Sequence, residues 1–188
     1  MSSQEKRPFS DVMPVAQYIA NALGDYCQRI AIAGSLRRKR SMIGDIEIVA
    51  IPRYQKNLFG DPDPHLPTEL DRFLKRRLGD KLNKNGSKYK SFDYGKYKVD
   101  LFLATPRNFG NIFTIRTGSR DFSAWLMSSS VKGGALPIGM RQKDGYLWKG
   151  EKMIPCPDER DLFDAINIPF VPVSKRDNRE WLAICRDA

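Results

Sequence analysis

The sequence of 188 residues has few cysteines and no long hydrophobic run, and both shortages exclude classes of protein. Its three cysteines, Cys27, Cys156 and Cys185, show no C-x-x-C or Cys/His spacing, so neither a disulfide framework nor a zinc site is indicated. No apolar stretch approaches the length of about 18 residues that a membrane span needs, and no signal-peptide cleavage pattern is present. We expect a protein of a reducing compartment, the cytoplasm of a cell or the cytosol or nucleoid used by a virus, that is neither secreted nor membrane-bound.

Acidic residues are outnumbered, at 22 against 32 basic ones, which gives a net charge of +10 and a pI near 9.6. Such an excess points to a polyanionic partner. Nine basic residues against two acidic ones lie between Lys75 and Lys98, interleaved with aromatic rings. The segment suits a DNA backbone, although a solvated hairpin is the alternative interpretation. The candidate DNA-binding residues are Lys84, Lys88, Lys90 and Lys98.

Hydrophobic periodicity and turn residues divide the chain into helices and strands. Apolar residues recur at helical spacing after Ser10 or Asp11, either of which can cap a first helix. Strands are predicted at 30–33, 45–51, 87–92 and 97–104, with an amphipathic helix at 68–78. A proline-rich loop before that helix contains the single histidine, His65, which we expect on the surface. These elements predict an α/β (α+β) protein with a mixed, twisted sheet and flanking helices.

A change of composition at Thr105–Pro106 predicts a subdomain boundary. Residues 1–106 then form the sheet domain, and residues 107–188 form a smaller, mainly helical C-terminal subdomain. Its predicted elements are helices at 109–115, 121–131 and 158–166, a hairpin at 146–153, and a tail at 169–172 that is not helical.

Three carboxylates stand out because of their positions in predicted strands. Asp45 and Glu47 are two residues apart, so in a strand both side chains point to the same face. Asp100 lies in an apolar strand, where a carboxylate costs several kcal/mol unless it is paired or binds metal. If the two strands are neighbours, the three carboxylates converge, and like charges packed together favour a divalent cation between them. A solvated strand face is the alternative for Asp45 and Glu47.

Hard oxygen ligands of this kind are typical of Mg²⁺, and Mn²⁺ can take its place. Two such ions could support in-line displacement of pyrophosphate by a 3′ oxygen. Gly34, eleven residues before Asp45, and Ser35 form a turn at which backbone N–H groups can approach a triphosphate. Arg38 can add a forked cationic donor. A simple turn is the alternative for Gly34 and Ser35.

Together these residues resemble the signature of the X-family DNA polymerases, within the nucleotidyltransferase superfamily. The motifs are Gly34-Ser35, Asp45-x-Glu47, Asp100, and Thr117-Gly118-Ser119 seventeen residues after Asp100, followed by 157–166 and 168–172, which are similar to the family's closing helix and proline-bearing tail. The resemblance covers roughly residues 11–176, and the chain resembles the smallest viral members, which consist of palm and C-terminal subdomain alone.

The resemblance implies a palm domain at 1–106, a nucleotide-binding, thumb-like subdomain at 107–188, and a monomer that extends DNA from nucleoside triphosphates in gap-filling repair with two Mg²⁺ ions. It also implies a strained or cis peptide near Gly118. The implied catalytic and metal-binding residues are Asp45, Glu47 and Asp100. The implied nucleotide-binding residues are Gly34, Ser35, Arg38, Gly44, Arg116, Thr117, Gly118 and Ser119.

Two departures from the family keep other functions open. Glu47 stands where the family's polymerases usually have aspartate, and glutamate occurs in nucleotidyltransferases that modify small molecules. Ile115 and Arg116 replace an aromatic pair near the sugar, which favours relaxed sugar selection. Glu47 and the lack of a separate DNA-binding domain in the predicted organisation favour a template-independent or small-molecule nucleotidyltransferase as one alternative, and a DNA-binding module with an inactive site is another.

Overall fold

The structure, a computed structural model, describes residues 5–54 and 67–186. Most of the predicted proline-rich loop, including His65, lies outside the described residues. The helices are α1 (Phe9–Gly24), α2 (Gly34–Arg37), α3 (Glu69–Leu78), α4 (Phe109–Thr117), α5 (Arg120–Met127), α6 (Glu159–Ala165) and α7 (Trp181–Arg186). The strands are β1 (Arg7–Pro8), β2 (Cys27–Ile32), β3 (Met42–Ile43), β4 (Ile46–Pro52), β5 (Leu82–Asn85), β6 (Tyr89–Tyr94), β7 (Tyr97–Leu103), β8 (Met140–Lys143), β9 (Tyr146–Lys149) and β10 (Lys152–Ile154).

The predicted fold class is confirmed, because the chain is a mixed α+β protein with a mixed five-stranded sheet and flanking helices. The chain divides into two compact units. The first unit comprises 1–32 and 41–105, and the second comprises 33–40 and 106–188. The division after Thr105 lies next to the predicted boundary, whereas the assignment of 33–40 to the second unit has no counterpart in the sequence prediction.

The first unit is built on the sheet β2-β4-β7-β6-β5. Only the central pair β4 and β7 is parallel; the other neighbours are antiparallel. The ammonium of Lys90 in β6 lies 2.6 Å from Asp71 of α3, so α3 covers the face that carries Lys90. Because side chains alternate along a strand, Ser91 in β6 belongs to the opposite face.

The helices of the first unit begin for different local reasons. Thr68 caps α3, since its hydroxyl accepts a hydrogen bond from the Asp71 N–H at 3.1 Å while the Thr68 N–H donates to the Asp71 carboxylate at 2.9 Å. This reciprocal pair satisfies two otherwise unpaired donors. The expected cap of α1 is wrong, because α1 begins at Phe9 and its N-cap is Pro8, which makes no side-chain capping bond. Ser10 and Asp11 therefore lie inside the helix.

The second unit packs its helices around an aromatic core beside the antiparallel sheet β10-β9-β8. Phe122, Phe163 and Trp181 are all buried there, and the rings of Phe122 and Trp181 meet edge to face at 5.3 Å. This geometry adds a favourable quadrupole contact to the burial of apolar area. The helix predicted at 121–131 is shorter than expected, since α5 ends at Met127.

No helix within residues 5–54 and 67–186 is both long enough and apolar enough to cross a lipid bilayer.

Candidate active site

An acidic face lies at the centre of the sheet in the first unit. Glu47 of β4 is directly opposite Asp100 of β7 in the parallel register, so the two side chains project from the same face on neighbouring strands. Asp45 immediately precedes β4, two residues before Glu47. The charges of Asp45 and Asp100 also interact with each other. The strand pairing therefore places Glu47 opposite Asp100, and Asp45 lies just before the paired segment.

Asp100 is held by three donors from its own hairpin. The Tyr89 hydroxyl donates to Asp100 Oδ1 at 2.6 Å, and the Ser91 hydroxyl donates to the same oxygen at 2.8 Å. Lys98 Nζ donates to Asp100 Oδ2 at 2.6 Å. Asp100 is 6% exposed, so these bonds compensate for the loss of hydration of its charge.

The pKa values of the acidic face move in opposite directions. Burial alone would raise the pKa of Asp100, but the hydrogen bonds from Lys98, Tyr89 and Ser91 outweigh it and hold that pKa below its usual value. Burial raises the pKa of Asp45, and the neighbouring charge of Asp100 raises it further. Asp100 is thus the firmly ionised member of the pair, and Asp45 takes up a proton more readily.

The side chains as they stand do not form a ready-made metal cage. In the described part of the chain, no three histidine, cysteine or acidic side chains are close enough together to hold a metal ion. The donor types nevertheless fit a hard cation, because Asp45, Glu47 and Asp100 offer only carboxylate oxygens. Both Asp100 oxygens already accept hydrogen bonds, and one of these is from the cation of Lys98.

Only part of the predicted basic surface is exposed. Lys84 and Lys88 are exposed, and the Lys84 ammonium lies 5.5 Å from the centre of the Tyr89 ring. Lys90 differs from the expectation, since it is 2% exposed and forms an ion pair with Asp71. A buried ammonium bonded to a carboxylate cannot reach a DNA phosphate. Lys98 is half-buried on the acidic face, where it is bonded to Asp100.

The Gly34–Ser35 turn belongs to the second unit and requires glycine at its first position. Gly34 has φ of +61° and is buried, a left-handed conformation that is costly for a residue with a Cβ atom. Ser35 is partly buried, and its carbonyl accepts a hydrogen bond from the Arg40 N–H at 3.1 Å. Gly44, by contrast, lies in the first unit beside Asp45 and lines a cleft there.

The two arginines after this turn bind the Thr117–Gly118 segment. Arg38 Nη1 donates to the carbonyl of Thr117 at 2.6 Å and to that of Gly118 at 2.9 Å. Arg38 Nε forms an ion pair with Asp177 at 3.1 Å. Arg37 Nη1 donates to the Thr117 hydroxyl at 2.9 Å. In this structure, the guanidinium predicted to bind phosphate therefore supports the backbone of the Thr-Gly-Ser motif.

Ser119, the last residue of the Thr-Gly-Ser motif, also has a structural role. The Ser119 hydroxyl accepts a hydrogen bond from the Phe122 N–H at 3.2 Å and so caps α5. The expected strain near Gly118 is absent, because its φ of −62° and ψ of 158° are ordinary extended values, and no cis peptide occurs among the described residues. Arg116 is exposed at the end of α4.

A buried ionic cluster joins α2, α6 and the C-terminal segment of the second unit. Glu159 accepts hydrogen bonds from Arg37 Nη2 at 2.5 Å, from Arg176 Nη1 at 2.6 Å and from the Thr114 hydroxyl at 3.2 Å. Arg176 is fully buried, and its Nε donates to the Val171 carbonyl. Burial alone would raise the pKa of Glu159, but the hydrogen bond from Arg37 and the charge of Arg176 hold it below its usual value.

No family model matches the chain, and no curated protein matches it at a significant level. The site's interpretation therefore rests on its own residues and geometry.

The sequence interpretation missed two sets of contacts around these sites. Lys98 is two residues from Asp100 and shares its face of β7, so alternation could have indicated the ion pair. The two-residue turn that pairs Tyr94 with Tyr97 also places Ser91 opposite Asp100. Glu159 and Arg176, in contrast, carry no local signal of burial.

Proposed function

We propose that this protein is a metal-dependent nucleotidyltransferase of the X-family DNA polymerase type, which adds nucleotides to a DNA 3′ end during gap-filling repair. The observation that carries this proposal is the direct parallel register between Glu47 and Asp100, with Asp45 two residues before Glu47. A buried, ionised carboxylate beside two others is costly in an ordinary sheet. The proposed function accounts for this cost, because the same face would bind divalent cations and, through them, the phosphates of the substrate.

Divalent cations bound by these carboxylates would neutralise the negative charge that develops when a 3′ oxygen displaces pyrophosphate from a nucleoside triphosphate. The chain's own contribution is orientation. Tyr89 and Ser91 hold Oδ1 of Asp100 from two sides, so the carboxylate plane is set before substrate arrives. Such preorganisation avoids reorganisation of the site during the reaction.

The proposed nucleotide-binding residues of the second unit act mainly through backbone. The left-handed conformation of Gly34 makes a close approach of a phosphate sterically possible. Arg37 and Arg38 support the Thr117–Gly118 backbone rather than extend toward solvent. We therefore propose that the arginines keep the Thr-Gly-Ser turn in shape and that direct triphosphate contacts come from N–H groups.

The proposed DNA partner is bound electrostatically, with Lys84 and Lys88 as the exposed contributors of the predicted basic segment. The net charge of +10 supports this. The proposed setting is a reducing, cytoplasmic one, because none of the cysteines Cys27, Cys156 and Cys185 forms a disulfide. We propose that the protein works as a monomer.

A template-independent or small-molecule nucleotidyltransferase is the second candidate. Two observations favour it: a glutamate, Glu47, is the residue opposite Asp100, and two of the four lysines predicted to bind DNA, Lys90 and Lys98, are engaged with carboxylates. A smaller basic surface weakens the case for a long DNA substrate.

Primer extension by Asp100→Asn tests the proposal. The variant should lose metal-dependent nucleotide transfer while remaining folded, because an asparagine oxygen can still accept from Tyr89 and Ser91. Asp93→Asn is the matched control, since Asp93 is an exposed acidic residue of β6 and should leave transfer unchanged. Circular dichroism establishes folding of both variants.

The substrates in that assay separate the candidates. Extension in which the added nucleotide follows the next template base beyond the primer terminus supports the polymerase. Extension of blunt or single-stranded primers regardless of template supports the second candidate. Near-normal transfer by Asp100→Asn in saturating Mg²⁺ would show that the acidic face is not the catalytic site.

A further inference from the structure

The acidic face already contains a cation of its own, the ammonium of Lys98. Lys98 Nζ is 2.6 Å from Oδ2 of Asp100, and its charge partly offsets the rise in the pKa of Asp45 that burial and the charge of Asp100 cause. One side chain thus provides charge compensation for two of the three carboxylates. A divalent cation bound by these groups would provide the same compensation.

We propose that Lys98 is a built-in countercation that competes with divalent metal for Asp100 and must leave Oδ2 when metal binds. This inference rests on the proposed function, because it assigns Lys98 a positioning role at the same carboxylates. It explains why the three acidic positions share one face without forming a ready-made cage in the described residues.

The two oxygens of Asp100 are held differently, which makes such an exchange possible. Oδ1 accepts from Tyr89 and Ser91, both of which are neutral donors from β6. Oδ2 accepts from Lys98, a flexible side chain that is 35% exposed. Departure of the ammonium would therefore free one oxygen while the other keeps the carboxylate in place.

Asp45 and Lys98 border a narrow surface cleft. The cleft, which Gly44 and Tyr97 also line, has a volume of about 10 Å³, enough for about one water molecule. Access of a cation to Asp100 therefore depends on the Lys98 side chain turning its ammonium outward into solvent. Long lysine stems readily place their charged end in water while their methylene groups stay packed.

The charge of Lys98 should therefore weaken metal binding. A monovalent and a divalent cation about 5 Å apart repel each other enough, even in a water-like dielectric, to change affinity by about tenfold. Removing the ammonium should strengthen binding by that factor or more. It should also leave the carboxylates less well compensated in the metal-free protein, so added metal should raise the melting temperature more than it does in the unmodified chain.

Mn²⁺ binding to the full chain, followed by the electron paramagnetic resonance signal of the free ion, tests the inference without any assay of catalysis. Lys98→Met preserves the length of the stem and removes the charge, and Lys98→Gln is a second variant in case methionine impairs folding. Lys96→Met is the matched control, because Lys96 also lines the cleft but contacts the Tyr97 ring rather than a carboxylate.

We expect both Lys98 variants to bind Mn²⁺ about tenfold more tightly than the unmodified chain and the Lys96 control. Equal or weaker binding by the Lys98 variants, with clear binding by the unmodified chain, would overturn the countercation role and leave the proposed transferase intact. An equal gain in Mn²⁺ affinity in the Lys96 control would mean that removal of any nearby positive charge has the same effect, and it would also overturn the countercation role of Lys98. No binding by any of these proteins would overturn both proposals.

Discussion

Replacing Glu159 by glutamine should destabilise the second unit severely. The carboxylate of Glu159 compensates the guanidinium of Arg176, which is fully buried. Among the described residues, the surroundings of Arg176 offer no spare acceptor, because its Nη2 atom is already buried without a hydrogen-bond partner. Loss of the negative charge would leave an uncompensated cation in the interior.

The expected loss in the free energy of unfolding depends on which contacts Arg176 and Arg37 keep with glutamine at position 159. Removing one partner of a buried ion pair typically costs about 3–5 kcal/mol. Glutamine retains an oxygen that can still accept from Arg176, so we expect the lower end, about 3 kcal/mol. The loss of the Arg37 ion pair at 2.5 Å contributes less, because the Arg37 side chain is 24% exposed.

Tryptophan fluorescence during denaturation measures this unit selectively. All three tryptophans, Trp125, Trp148 and Trp181, lie in the second unit. The transition therefore reports the unit that contains Glu159, even if the first unit unfolds separately. The midpoint and slope in urea give the change in the free energy of unfolding.

Glu151→Gln is the matched control, since Glu151 also pairs with an arginine of this unit but is 94% exposed. Its loss should be small, because exposed ion pairs contribute little. A Glu159→Gln loss no larger than that of the control would refute the reasoning, because it would mean that the buried arginine does not depend on its carboxylate.

Three further predictions concern DNA affinity, the preference for deoxynucleotides, and the stability of the protein at low pH. Lys84→Gln/Lys88→Gln should weaken DNA binding across sequences and lower the salt slope of affinity by about two, if each lysine contacts one phosphate. At the proposed nucleotide site, Ile115→Tyr/Arg116→Phe should increase the preference for deoxynucleotides in paired catalytic-efficiency measurements, because the original pair lacks the aromatic side chains that the resemblance to the X-family polymerases implies near the sugar. Because the folded-state pKa of Glu159 is lowered, its stabilisation is present above its unfolded-state pKa and is lost as the pH falls from there through the folded-state pKa.

Each of these predictions has a control and a contradicting result. Lys149→Gln/Lys152→Gln is the control for DNA binding, because it removes two exposed charges of the second unit. Equal losses of DNA affinity in the two double variants would mean that Lys84 and Lys88 act only through the total charge of the protein. An unmodified chain with strong deoxy preference that the Ile115/Arg116 substitutions leave unchanged would place the sugar filter elsewhere. The stability of the original chain and of Glu159→Gln should be compared by fluorescence between pH 5 and pH 3. An equal fall in both proteins would mean that protonation of Glu159 is not the cause of the loss of stability in acid.

The sequence by itself determined the features that depend on local periodicity. The alternation of side chains in 45–51 places Asp45 and Glu47 on one face, and the Thr68 cap with Asp71 defines the start of α3. The antiparallel pairing of β6 with β7 was also predictable, since a short turn joins them. These features are determined by residues that are close together in the sequence, so they can be predicted from a single sequence.

Register between distant strands was decided by the tertiary structure. β4 and β7 are separated by more than forty residues, and nothing local states that Glu47 lies opposite Asp100. The assignment of 33–40 to the second unit is of the same kind. Packing of many side chains selects such pairings together, because shifting a strand by one residue would turn its buried face outward.

The partners of charged residues were likewise a matter of tertiary structure. Lys90 appeared to belong to a basic surface, yet its ion pair with Asp71 places it in the interior. Arg176 in the C-terminal tail is buried against Glu159 of α6. A lysine or arginine in a sequence is by default exposed, because burying its charge is costly. Only a carboxylate supplied from elsewhere in the fold makes burial possible, and no local pattern specifies where that carboxylate will be.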